Sequence, residues 1–77
     1  MNMKLSELEP GEEAVIVKIV GSGPHRRRMV DMGLVKGARI KVVRKAPLKD
    51  PVEYEVKGYR LSLRRVEAEN VLVEVER

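Results

Sequence analysis

Glu13-Ala14-Val15-Ile16-Val17-Lys18-Ile19-Val20, broken at once by Gly21-Ser22-Gly23-Pro24, is the stretch from which the rest of the chain can be read. Five of its first eight residues are β-branched, which crowds a helix but suits a pleated strand. In a strand, Val15, Val17 and Ile19 share one face, while Ala14, Ile16 and Val20 share the other with Lys18. Both faces are apolar enough to predict the most buried strand of the protein. The break that follows reads as a helix start. Pro24 lacks the N–H that a first turn leaves unpaired, and Ser22 or Gly23 stands at the capping position. The spacing predicts a two-turn helix from Pro24 to Met32, with His25, Met29 and Met32 on one side. Arg27 and Asp31 fall opposite as an i,i+4 pair. Gly33 stands where a left-handed cap ends a helix, and Leu34 is placed to fold back as its apolar contact.

Downstream, a turn at Gly37 leads into Ala38 to Lys45, where Ala38, Ile40 and Val42 alternate with Arg39, Lys41 and Val43. Ala46 to Pro51 is a loop with a proline near each end. Val52, Tyr54 and Val56 then point inward against Glu53, Glu55 and Lys57. Lys57-Gly58 fits a two-residue hairpin turn, after which Tyr59, Leu61 and Leu63 face in and Arg60, Ser62 and Arg64 face out. Arg65 to Asn70 is read as one helical turn and Val71 to Val75 as a last strand. Upstream, Leu5-Ser6-Glu7-Leu8 is read as a lead-in anchored by two leucines and closed by Pro10-Gly11. The expected architecture is all-β: a small five-stranded SH3-like antiparallel barrel with a short inserted α-helix, residues 1–77 forming one domain. Closure is expected because it removes exposed strand edges.

Composition bounds the function. A chain of 77 residues buries only about 60% of its unfolded surface, too little for a deep cleft or a second lobe. Without cysteine it has neither disulfides nor thiolate metal sites, so aliphatic packing must hold it together. No apolar run approaches the roughly 20 residues a membrane-spanning helix needs. Met1 to Pro10 does not resemble a signal peptide, and a cytoplasmic location is expected. Charge is unevenly placed: Arg26 to Arg65 holds 13 Lys/Arg and 4 Asp/Glu, whereas the two ends hold 3 and 8. Such an asymmetry concerns partners more than fold.

The residues argue against catalysis. Ser6, Ser22 and Ser62 have only one histidine, His25, to serve as a base. Gly21-Ser22-Gly23-Pro24 lacks the Lys-Ser/Thr ending that a phosphate loop uses. A transition-metal site needs several imidazole or carboxylate ligands, so the lone His25 is a weak metal candidate and no resident cofactor is expected. Met29 and Met32 are read as core filler. Nucleic acid is a competing reading, because Arg39, Lys41, Arg44, Lys45, Arg60, Arg64 and Arg65 can line one surface. Single-strand binders of barrel type stack bases on aromatics, and here Tyr54 and Tyr59 are both read as inward. A proline-peptide groove needs an aromatic lining, and the chain has no Trp or Phe.

The order of signals across the chain resembles the FeoA family. The matching features are Leu5-Ser6-Glu7-Leu8 with Pro10-Gly11, Arg26-Arg27-Arg28 running into Met32-Gly33-Leu34, and Gly37 before a strand. Ala46-Pro47 with Asp50-Pro51, Gly58, and Leu61-Ser62-Leu63-Arg64-Arg65 leading to Glu67-Ala68 complete them. The resemblance implies an SH3-like barrel that supports ferrous iron uptake by binding the cytosolic part of a FeoB-type membrane transporter with a GTP-binding domain. Location at the inner membrane face through that partner is implied too. A related domain is attached to metal-dependent repressors of the DtxR type, which leaves a stand-alone regulatory domain as the alternative. For the partner-binding surface the expectation is Arg26, Arg27, Arg28, Met32 and Leu34, guanidiniums beside apolar side chains on a short protruding helix.

Overall fold

The structure is a computed structural model that describes residues 1–21 and 23–75. Its elements are β1 (Asn2–Lys4), a 3₁₀ turn (Leu5–Glu7), β2 (Glu13–Ile19), α1 (Pro24–Asp31) and β3 (Arg39–Lys45). β4 (Val52–Val56), β5 (Tyr59–Leu63), α2 (Arg65–Ala68) and β6 (Val71–Glu74) follow. The strands form one antiparallel sheet in the order β1-β6-β2-β3-β4-β5, wrapped around a single core.

Six strands stand where five were expected. The extra one is β1, which pairs with β6 through Asn2↔Glu74, Met3↔Val73 and Lys4↔Leu72. Three residues with one half-buried side chain carry no readable alternation. Only the partner strand makes them a strand. The end strands of the sheet, β1 and β5, do not pair with each other among the described residues. The expected removal of all edges is therefore corrected: curvature encloses the core, and two edges remain.

β2 is corrected in detail. Its register against β6 slips between Ile16 and Lys18. The extra residue of such a bulge reverses the alternation beyond it. Ile19 consequently joins Ala14 and Ile16 in the core, whereas Val15 and Val17 are half-buried and Val20 lies past the strand, 43% exposed. β4, with Val52, Tyr54 and Val56 all inside, is the better buried strand.

The helix ends as its sequence demands. Gly33 takes φ +96°, and its N–H donates to the Val30 carbonyl at 2.9 Å. The N–H of Leu34 donates to the Met29 carbonyl at 3.1 Å. These two bonds form a Schellman motif, and its apolar contact is present because Met29 and Leu34 are both buried in the core. At the other end Gly23 occupies the cap position without a side-chain bond, and Ser22 lies outside the described residues. The β4–β5 hairpin turns through Lys57 (φ 52°) and Gly58 (φ 85°), the two positive angles that match strand twist in a two-residue loop. Tyr59, expected inward, is 43% exposed. It sits at the mouth of the hairpin with its hydroxyl over Gly33, where a Cβ would stand 2.5 Å away.

Candidate functional site

α1 projects from the sheet on one short anchor. Met29 is its only buried residue, and the chain returns to the core at Leu34, which is fully enclosed. Between α1 and the end of β2 lies an open depression of about 1040 Å³, lined by Ile19, Val20, Arg26, Arg27 and Asp31 among others. Arg26 and Arg27 are exposed, and neither makes an ion pair among the described residues. With Val20 beside them, they offer two free guanidiniums next to an exposed aliphatic side chain. Such a surface can grip carboxylates by paired hydrogen bonds while covering an apolar contact.

The other expected residues are placed differently. Arg28 Nη2 lies 3.0 Å from Glu67 Oε2, and the Glu67 side chain is only 11% exposed. Glu67 also accepts the Arg64 N–H through Oε1 at 2.9 Å, so the pair ties α1 to the start of α2. Arg28 therefore serves the fold as well as the surface. Met32 caps α1 and is half-buried against the core. Leu34 is corrected outright: at 0% exposure it cannot touch a partner. Val20 was missed because strict alternation put it inside the barrel. The following Gly21 was the available sign that the strand had already ended.

The basic sheet face is largely occupied by its own acids. Arg44 Nε lies 2.8 Å and Arg60 Nη1 3.4 Å from the two oxygens of Glu53. Lys45 Nζ lies 2.9 Å from Glu9, Arg39 lies 3.9 Å from Glu13, and Arg65 lies 3.7 Å from Glu69. Five of the seven cations proposed for nucleic acid are thus paired within the molecule, leaving Lys41 and Arg64. Hydrogen bonding and charge from Lys45 hold the Glu9 carboxyl below the ordinary glutamate range. The Tyr54 ring packs in the core, and burial pushes its hydroxyl pKa upward. Only Tyr59 presents an aromatic ring to solvent.

No group of three or more metal-ligating side chains occurs among the described residues. His25 is exposed and shares its shallow surroundings with Arg28 and Arg64, two cations that oppose a metal ion. Met29 is core packing. Nor is any helix long and apolar enough to cross a membrane among the described residues.

Comparison with known proteins places the chain. The FeoA domain model matches residues 3–75. The chain is 49% identical over 73 residues to the Fe(2+) transport protein A/Fe(2+) transporter FeoB fusion protein of Porphyromonas gingivalis, covering 95% of this chain but 9% of that protein. The solution structure of FeoA from Chlorobium tepidum aligns with TM-score 0.90 and 45% identity, over 97% of this chain and 71% of the other. The zinc-complexed crystal structure of Stenotrophomonas maltophilia FeoA, described as a prokaryotic SH3 domain protein, aligns with TM-score 0.84 and 33% identity, over 94% and 89%. The fold also recurs in IdeR of T. acidophilum, at TM-score 0.84 and 25% identity, where 97% of this chain covers 34% of that one. With a family model spanning nearly all of it and an SH3-like fold in common with solved members, the chain belongs to the FeoA family.

Proposed function

We propose that this protein is a non-catalytic accessory factor of ferrous iron uptake that docks on the cytosolic part of a FeoB-type transporter and modulates it. The observation that carries this reading is the Porphyromonas relative, in which a stretch 49% identical to this chain is one polypeptide with such a transporter. Fusion places the two at high effective concentration, which is useful when they work in contact. The docking surface is the exposed part of α1 with Arg26, Arg27 and Val20, and Met32 at its margin. Its target is an acidic patch with an apolar centre. In this role the protein works in the cytoplasm at the inner membrane face.

The association is electrostatic in part, so it should weaken as salt rises from low to moderate concentration. The test is an NMR titration of isotope-labelled protein with the purified GTP-binding domain of the transporter, beside a short DNA duplex and Fe²⁺. Shifts confined to Val20 and Arg26 to Met32, weakened several-fold by salt, are expected with the protein domain alone. Shifts on the sheet face with DNA and none with the domain would replace the proposal by a nucleic-acid module. A response to Fe²⁺ centred on His25 would move it toward a metal-sensing regulatory domain.

A further inference from the structure

A second depression, about 570 Å³, is formed by the 3₁₀ turn, the β3–β4 connection, β4 and α2. Four cations converge on it from distant parts of the chain: Lys4, Lys45, Lys49 and Arg65, against the two acids Glu7 and Glu69. Both acids are engaged. Glu7 Oε1 accepts the Lys4 N–H at 2.9 Å, and Glu69 lies 3.7 Å from Arg65 Nε. Lys45 is held by Glu9, but the ammonium groups of Lys4 and Lys49 have no ion-pair partner. Tyr54 also lines this depression, although the residue is 1% exposed. Its hydroxyl makes no hydrogen bond within the protein. No fully enclosed side-chain polar atom of the described residues lacks a partner, so that hydroxyl keeps an opening, and the depression it lines provides one. A buried hydroxyl left without a protein partner calls for a ligand or water.

We propose that this pocket is an anion site for a phosphoryl group, received by the ammoniums of Lys4 and Lys49 and by the hydroxyls of Tyr54 and Ser6. With Lys45 neutralised by Glu9, four cations against three acids leave the site a net positive charge of one, and its unpaired ammoniums are those of Lys4 and Lys49. Lysine ammoniums act as point charges and bind phosphoryl oxygens without demanding a fixed geometry. The Tyr54 phenol is a donor at neutral pH, and desolvation raises its pKa further. The site is independent of the α1 surface.

NMR titration with inorganic phosphate and with glycerol 3-phosphate, each matched in ionic strength by chloride, tests it. Saturable shifts at Ser6, Lys49, Tyr54 and Arg65 are expected with phosphate and absent with chloride. Lys49→Ala and Lys4→Ala, both at exposed positions, should each weaken binding about tenfold, as loss of a charge-assisted hydrogen bond does. Tyr54→Phe should do the same if it folds. Saturation by both anions would identify free phosphate as sufficient, and saturation by the ester alone would identify a phosphomonoester ligand. Shifts equal to those in chloride, or affinity unchanged in both lysine variants, would overturn the proposal.

Discussion

The sheet face and α1 are both rich in arginine, yet they differ in what their charges do. Across β3, β4 and β5 the strands set Glu53 between Arg44 and Arg60, so both arginines meet an acid. On α1, Arg26 and Arg27 stand on a helix whose only acid is Asp31, and they remain unpaired. A count of basic residues therefore overstates the positive field of the sheet and understates the availability of the helix. Charge that is paired in the fold contributes little to steering, and charge left free is what a partner meets.

This contrast can be broken most forcefully at the helix anchor. Leu34→Ala should cost about 3 kcal/mol, within the range for large-to-small core changes, read as a lower midpoint in urea unfolding. A cost below about 1 kcal/mol would mean that α1 is not held by that side chain. Next comes Glu53→Gln, which removes the acid shared by two arginines. A loss of about 1 kcal/mol is expected, discounted because both arginine side chains are well exposed. The double change Arg26→Ala/Arg27→Ala should by contrast stay within about 0.5 kcal/mol of the parent while weakening partner binding. Equal stability losses for the two regions would erase the comparison.

A finer test is the Arg28–Glu67 tie. A double-mutant cycle with Arg28→Ala and Glu67→Gln should return a coupling of about 0.5–1 kcal/mol, since the arginine is half exposed. Zero coupling would return Arg28 to the free set beside Arg26 and Arg27. The smallest effect concerns pH. The folded pKa of Glu9 is lowered, so its contribution is present above the ordinary glutamate range and is lost as pH falls through the folded value. Lys45→Met should flatten that part of the stability-versus-pH curve. The same slope in parent and variant would show that the pair adds nothing at this exposed site.

Much of this molecule was legible because its signals are local. Pro24, Gly33 and Leu34 bound α1 by backbone rules, and the structure places both Schellman bonds where they require. Lys57-Gly58 selected its hairpin turn in the same way. Alternation identified the inward residues of β3 and β4. The family resemblance depended on these same punctuating residues, and the matched FeoA domain runs over residues 3–75. The site was legible only in outline: the arginine run was visible, but which guanidiniums are free was not.

What the amino-acid sequence determined alone is the order of the elements from β2 onward, the helix cap, the hairpin turn and the aliphatic core, because those follow from φ restrictions and from the strand and helix periodicities within a segment. What only the tertiary structure decided involves groups far apart in the chain. β1 exists because β6 offers it a partner, and the β2 bulge that expels Val20 arises in pairing with that same strand. Arg28 is tied because α2 brings Glu67 to it across 39 positions, and Lys4, Lys49 and Tyr54 meet only once the sheet has curled. A periodicity reads along the chain, whereas pairing, ion-pair partnership and pocket formation depend on which segments the fold brings together.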